Sequence, residues 1–342
     1  MNRQLIKTWA YRFSKPFPLK WLRKVSGQHF IFPFYHLVSD NPSPCVNHLY
    51  PVLSEKEFRK DLDFLLTHFS PAGFDEVLAF AGNRKKINKP RFFLSFDDGF
   101  SECYNVVAPI LKEKGVPAAF FVNPAFVGNK QLSHRQKVSL VMEEILNCTN
   151  KNLLLNAANI FSGEISGKDD LIRSVKKLSI ADFELIDAVA AVFQINFQEA
   201  LSTFQPYMNM TEIQQLKSGG FVIGSHSFDH PEFNLLSLNK MKEQLENSFR
   251  YLETHLKIEH RVFSFPFNDI GVPASFFNYL TNDCRVEASF GTSGMKLDEA
   301  PQNLHRIPME LYGFEGAEVI IRSEYFYYLG KALVGKNRVN RQ

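Results

Sequence analysis

The chain has 342 residues, long enough to bury one large core or two modest ones. With 45% hydrophobic and 22% charged residues it reads as globular, which excludes an extended disordered chain. A net charge of +3 is too small for the strongly basic face of a nucleic-acid binder.

The charge is unevenly placed. No acidic residue precedes Asp40, whereas Arg3, Lys7, Arg12, Lys15, Lys20, Arg23 and Lys24 are all basic. Residues 1–29 interleave these charges with Leu5, Ile6, Trp9, Phe13, Leu19 and Trp21, giving a basic amphipathic segment. It lacks the unbroken apolar run and small-residue cleavage site of a secretory signal, and no stretch approaches the ~18 apolar residues of a spanning helix. Two readings stand side by side: the segment rests on anionic lipid, or it packs onto the domain with its charges solvated. Cys45, Cys103, Cys148 and Cys284 form no CxxC pair, which fits reduced thiols. The expected location is cytoplasmic, with peripheral contact to the inner membrane open.

Phe30 to Val38 reads as a buried strand. Ser54 and Glu57 form a capping box that opens a helix carrying Phe58, Leu62 and Leu65. Arg91 to Asp98 is the clearest strand, followed by a helix from about Ser101 to Gly115 and a strand at Ala118–Asn123. Such strand–helix–strand order implies parallel pairing. From about 128 to 207 the pattern is helical throughout, as expected of an insertion. Thr211 and Gln214 look like a second capping box before the strand FVIG. A long helix near Ser237–Leu256, the strand RVFSFP, a short helix near Pro273–Leu280, the strand ASFGTSG and an amphipathic helix from about Gly316 to Leu333 complete an α/β chain.

Two constellations carry chemistry, each at a strand end. In Ser95-Phe96-Asp97-Asp98-Gly99 both carboxylates can reach one cavity if Gly99 turns the chain sharply, one to bind a cation and one to take a proton. Alone, the motif reads as ordinary turn chemistry. In His226-Ser227-Phe228-Asp229-His230 the histidines stand at i, i+4 and share a face if the segment turns helical. One Asp with two His is the ligand set of a catalytic divalent site with open positions.

These motifs resemble those of the polysaccharide deacetylases, the NodB-homology carbohydrate esterase family four. SFDDG is similar to that family's TFDDG, HSFDH to its HSxxH, VFSFPFND to its third motif, and FYHLVSD to a YHxV segment preceding the first. The resemblance spans about Phe30 to Met309 apart from the insertion, within a catalytic domain of residues 30–342. It implies a distorted, incomplete (β/α) barrel with its site at the C-terminal strand ends. It also implies a divalent metal, usually zinc, on Asp98, His226 and His230, with Asp97 as general base, Ser227 bracing the loop and the Phe267 backbone at the oxyanion. Ser264 stands where many members carry an arginine, as in the branch resembling the poly-N-acetylglucosamine deacetylases. Arg306 in LHRIPME either pairs with Asp97 in its place or is merely structural. Asn268 and Asp269 replace a common glycine and are expected to reshape the cleft. The family's late histidine is missing from EVIIRS, which leaves His36 and His305 as alternative acids.

The implied activity is removal of an N-acetyl group from an amino sugar of an envelope glycan or lipid-linked precursor. The rivals are an O-acetyl esterase, a non-catalytic glycan-binding barrel and a membrane-associated scaffold.

Overall fold

The protein was analysed as a computed structural model that describes residues 10–83, 87 and 89–341; Arg3 to Trp9 of the basic segment lie outside these. Helix α1 (Leu19–Ser26) leads into β1 (Phe30–Ile31) and β2 (Pro33–Tyr35). The single strand expected at Phe30–Val38 is thus divided. Pro33 has no N–H to continue a ladder, so it begins a new strand. β1 pairs with β4 (Arg91–Phe92), which also pairs with β3 (Ser70–Pro71), in a small sheet. β2 pairs with β5 (Leu94–Phe96) in the main one.

The main sheet has eight strands in the order β11-β9-β8-β7-β6-β5-β2-β12, every pair parallel. β6 is Ala118–Val122, β7 Val222–Ser225, β8 Val262–Ser264 and β9 Ala288–Gly291. The two edges, β11 (Asn303–His305) and β12 (Ile307–Pro308), are separated in sequence by Arg306 alone. Arg306 N–H bonds Gly291 O at 2.9 Å and Ile307 N–H bonds Phe32 O at 2.8 Å. One continuous segment therefore joins both edges and nearly closes the sheet into a barrel. Its interior is filled by Phe32, Phe93, Phe121 and Phe290, while Tyr35, Phe96 and Phe120 face the surrounding helices.

Helix α2 (Glu55–His68) starts at the Ser54–Glu57 box: Glu57 N–H bonds Ser54 Oγ at 3.3 Å and Ser54 N–H bonds Glu57 Oε2 at 2.8 Å. After α3 (Phe74–Asn83), α4 (Ala108–Lys114) and β6, five α-helices occupy residues 134–204 of the expected insertion. These are α5 (His134–Asn147), α6 (Lys151–Ala158), α7 (Lys168–Lys176), α8 (Phe183–Val192) and α9 (Phe197–Phe204). They enclose a core of their own around Val141, Ile145, Leu171, Val175 and Ile186. Helix α10 (Met210–Ser218) is capped two residues before the expected Thr211. Asn209, a stronger cap than Thr211, accepts from Glu212 N–H at 3.1 Å in a box with Glu212. α11 (Leu238–Leu256), α12 (Ala274–Asn278) and α13 (Ala317–Leu333) complete the layer. α13 is not a one-faced amphipathic helix; it lies between α1 and α2 and buries Ile320, Ile321, Tyr325 and Tyr328.

The C-terminal tail is tied down by β13 (Arg338–Val339), which pairs with β10 (Leu297–Asp298), and by Arg341. Its guanidinium contacts the buried Asp269 and Asp298 carboxylates and donates to Asp269 O at 2.6 Å. His305 Nε2 lies 2.9 Å from Asp298 Oδ2 in the same cluster. Asp269, Asp298 and His305 are close enough together to ligate a cation, but Arg341 already supplies positive charge there. Burial would raise both carboxyls; His305 and Arg341 outweigh it and hold them below the usual range. Their contribution to stability is therefore present above the unfolded carboxyl pKa near ~4 and lost as pH falls through the depressed folded values. Arg341→Gln is expected to cost about 2–3 kcal/mol at pH 7, less than the ~3–5 for a sealed pair because the tail can swing out. Urea melts at pH 7 and pH 2 should show that loss shrinking in acid.

Candidate active site

All the candidate motifs sit at the C-terminal ends of main-sheet strands. Along β5 and its extension the side chains alternate, so Ser95 and Asp97 share the barrel interior. Asp98 would point away, but it has φ +70° and Gly99 follows at φ +68°. Two successive left-handed residues swing the Asp98 carboxylate back to the cavity, at ~1–2 kcal/mol of strain for the aspartate. A Cβ on Gly99 would meet Val122 Cγ1 at 3.1 Å.

His226 N–H extends the ladder by bonding Val122 O at 3.0 Å. The segment 226–230 does not turn helical: Ser227 has φ +67° and His230 φ +63°. A loop brings the imidazoles together instead. Ser227 Oγ accepts from His230 N–H at 3.1 Å, and Gln244 Oε1 accepts from the N–H groups of Phe228 and Asp229 at 3.0 and 3.2 Å. His226 Nε2 lies 3.4 Å and His230 Nε2 3.2 Å from Asp98 Oδ1.

His226 Nδ1 lies 2.9 Å from Ser264 O. A carbonyl only accepts, so Nδ1 carries the proton and Nε2 of the neutral ring presents a lone pair to Asp98. Two acceptors facing one another need a cation between them, and the donor set of one carboxylate and two imidazoles fits a divalent metal. This is the observation against which zinc or a similar ion is judged, and the residues fit.

Asp97 is held differently. Arg306, fully buried, donates through Nη1 to Asp97 Oδ1 at 2.8 Å and through Nη2 to Oδ2 at 2.7 Å. The remaining Nη donors reach Ser95 Oγ at 2.9 Å and Ser264 Oγ at 2.6 Å. Ser264 is thus a partner of the arginine, not only a gap where one is absent. Burial would raise the Asp97 carboxyl, but Arg306 outweighs it and keeps it below the usual range.

The two candidate acids lie in different places. His36 borders the cavity; its ring stacks on Tyr50 at 4.1 Å and its Nδ1 bonds the buried Glu310 carboxylate. Glu310 also accepts from the His36 and Leu37 N–H groups at 3.0 and 3.3 Å. Burial alone would lower the imidazole; Glu310 outweighs it and raises His36 to about 9. His305 is sealed off from the cavity with Asp269 and Asp298. Asp269 likewise stands behind the cleft, bonding Thr292 N–H at 3.3 Å.

Phe267 has φ +56°, with Asn268 N–H bonding back to Pro266 O at 2.6 Å. This is a strained three-residue turn. Its ring lines the cavity 4.7 Å from that of His230. Its own N–H meets no protein acceptor among the described residues.

The cavity has a volume of about 190 Å³ and an aromatic wall that includes Phe100, Phe126 and Tyr207. Ser133, Arg135 and Tyr207 reach it from the helical segment between β6 and β7. These three, Glu310, Ser95 and Tyr50 were not singled out from sequence. Ser95 carried a signal, being two residues from Asp97 and so on the same face.

A parallel barrel with carboxylate–imidazole chemistry at its strand tips defines a hydrolase-type site. The polysaccharide deacetylase family model matches residues 84–152 and 187–279, which include both motif loops. The fold is similar to IcaB from Ammonifex degensii, at 16% identity and TM-score 0.53 over 87% of this chain and 97% of that one. It is also similar to the deacetylase PplD of Streptococcus pyogenes, solved in complex with acetate, at 13% identity and TM-score 0.52 over 86% and 97%. A polysaccharide deacetylase from Bacillus cereus matches at 12% identity and TM-score 0.52 over 87% and 69%. No curated protein sequence matches significantly. Just under half of the chain thus matches a polysaccharide deacetylase domain, the domain of hydrolases acting on the amide bond of acetylated sugars.

Proposed function

We propose that this protein removes the N-acetyl group from an amino sugar of an envelope glycan or lipid-linked glycan precursor, with a divalent metal, zinc by preference, on Asp98, His226 and His230. The carrying observation is the Asp98 carboxylate between two Nε2 atoms at 3.2 and 3.4 Å, with the Asp97 carboxylate beside them. A cation there would polarise the acetyl carbonyl and acidify the attacking water. Asp97, oriented by Arg306, takes the proton from that water. The Phe267 N–H lies free to stabilise the oxyanion. His36, protonated on the side away from Glu310, passes a proton to the departing amine as the C–N bond breaks and acetate leaves. Ser227 keeps His230 in position. The Asp97–Arg306 and His36–Glu310 pairs favour turnover over a non-catalytic glycan-binding barrel, which needs neither.

The deciding experiment measures bound metal and acetate release from N-acetylated and O-acetylated sugars. The expected result is release from the amide, with Asp98→Asn losing metal and at least about 10²-fold of the activity together. Metal retained in full by Asp98→Asn removes the ligand assignment. Preference for the ester replaces the amide reading.

A specific observation favours peripheral membrane contact on the cytoplasmic face. Phe13, Phe17 and Trp21 are exposed beside the exposed Arg12, Lys15, Lys20 and Lys24, a pairing suited to anionic headgroups. Among the described residues no helix is long and apolar enough to cross a membrane. Flotation with phosphatidylglycerol vesicles should carry the wild type, and Phe17→Ser/Trp21→Ser should sink by about tenfold in bound fraction. Equal flotation ends the membrane reading.

A further inference from the structure

We propose that Arg135 binds an anionic substituent of the substrate, a phosphate ester or a carboxylate, beside the acetamido sugar; the inference rests on the deacetylase reading above. Every other charge lining the cavity has a partner of opposite sign or a ligand set. Asp97 is paired with Arg306, His36 with Glu310, and Asp98 with the two imidazoles. Arg135 is the exception. Arg135 lines the cavity, yet among the described residues its guanidinium makes one hydrogen bond, from Nη1 to Lys176 O at 3.4 Å. Among the described residues no carboxylate is in contact with it; burial weakens its charge, and Glu232 offsets this only in part.

The helix that presents Arg135 makes the position more pointed. The first turn of α5 contains no acidic residue and carries His134, Arg135 and Lys137. Lys137 is paired with Asp187 at 3.1 Å and burial lowers the His134 imidazole, so among the described residues Arg135 is the cation of this turn left without a carboxylate, set against the helix dipole. The N-cap groups are already used by Ser133 and Gln136, which leaves the guanidinium fork as the group with donors to offer. A planar fork matches two oxygens of a phosphate or carboxylate. The hydroxyls of a neutral sugar do not call for its charge. The helical segment between β6 and β7 thereby contributes to substrate choice.

The test compares kcat/KM for neutral N-acetylglucosamine oligomers, the glycosyl phosphate of N-acetylglucosamine and an N-acetylated aminouronic acid. Wild type, Arg135→Gln and Arg135→Lys are assayed, with melting temperatures to verify folding. The wild type should favour one charged sugar by about ten- to hundredfold, through KM more than kcat. Which sugar is favoured separates phosphate from carboxylate. Arg135→Gln should bring the ratio to within about threefold of unity, and Arg135→Lys should keep part of it. No charge preference in the wild type, or a preference that survives in Arg135→Gln, overturns the proposal and leaves the deacetylase reading standing. If the wild type hydrolyses none of the sugars, that reading fails instead. Calorimetric titration with the glycosyl phosphate then decides: about tenfold weaker binding to Arg135→Gln supports the anion site, and equal binding or none overturns it.

Discussion

Asp97→Asn is expected to lower turnover by about 10³-fold while the purified protein keeps its full metal content. The asparagine has the same volume but cannot take a proton at neutral pH. Asp98, His226 and His230 are untouched, and none of their mutual contacts passes through Asp97. The change also faces an amide with the Arg306 donors that now reach both carboxylate oxygens at 2.7 and 2.8 Å, so some melting temperature is lost as well. Comparison with Asp98→Asn separates the roles: one variant keeps metal and loses rate, the other loses both. Turnover of Asp97→Asn within tenfold of wild type would mean that another group takes the proton.

Much of this site was legible because strand alternation and motif order act locally. The ends of β5 and β7 were marked by Asp97–Asp98 and by His226, each following an apolar run. The geometry between the histidines was not legible. The loop depends on left-handed backbone at Ser227 and His230, which neither residue type announces. The choice between His36 and His305 was partly available. Arg306 pairs with Asp97 inside the barrel, and its neighbour His305 must then face the other way. Glu310 gave no sign, since its partner lies 274 residues away in sequence. Arg135 was hidden similarly: a helical pattern shows that the segment is helical, not that its first turn reaches a cavity built by other strands.

Replacing Arg306 should produce the largest loss of stability. The residue sits at the seam where the chain passes from β11 to β12, and its side chain is wholly buried. Its guanidinium carbon lies 4.2 Å from the Phe34 ring centre, with Phe121 and Phe290 at 5.6 and 5.9 Å. Arg306→Met keeps much of the stem packing but leaves the Asp97 carboxylate buried without its cation. That is expected to cost about 3–5 kcal/mol, with activity lost alongside because the base is no longer held. Lysine restores the charge without the fork, so Arg306→Lys should recover only part of either. The pair is best resolved by a double-mutant cycle in urea. Asp97→Asn/Arg306→Met removes both charges and should be less destabilised than the two single losses added together, by about 1–3 kcal/mol. Strict additivity, or an Arg306→Met protein that melts like the wild type, would show that the contact holds neither the barrel seam nor the carboxylate.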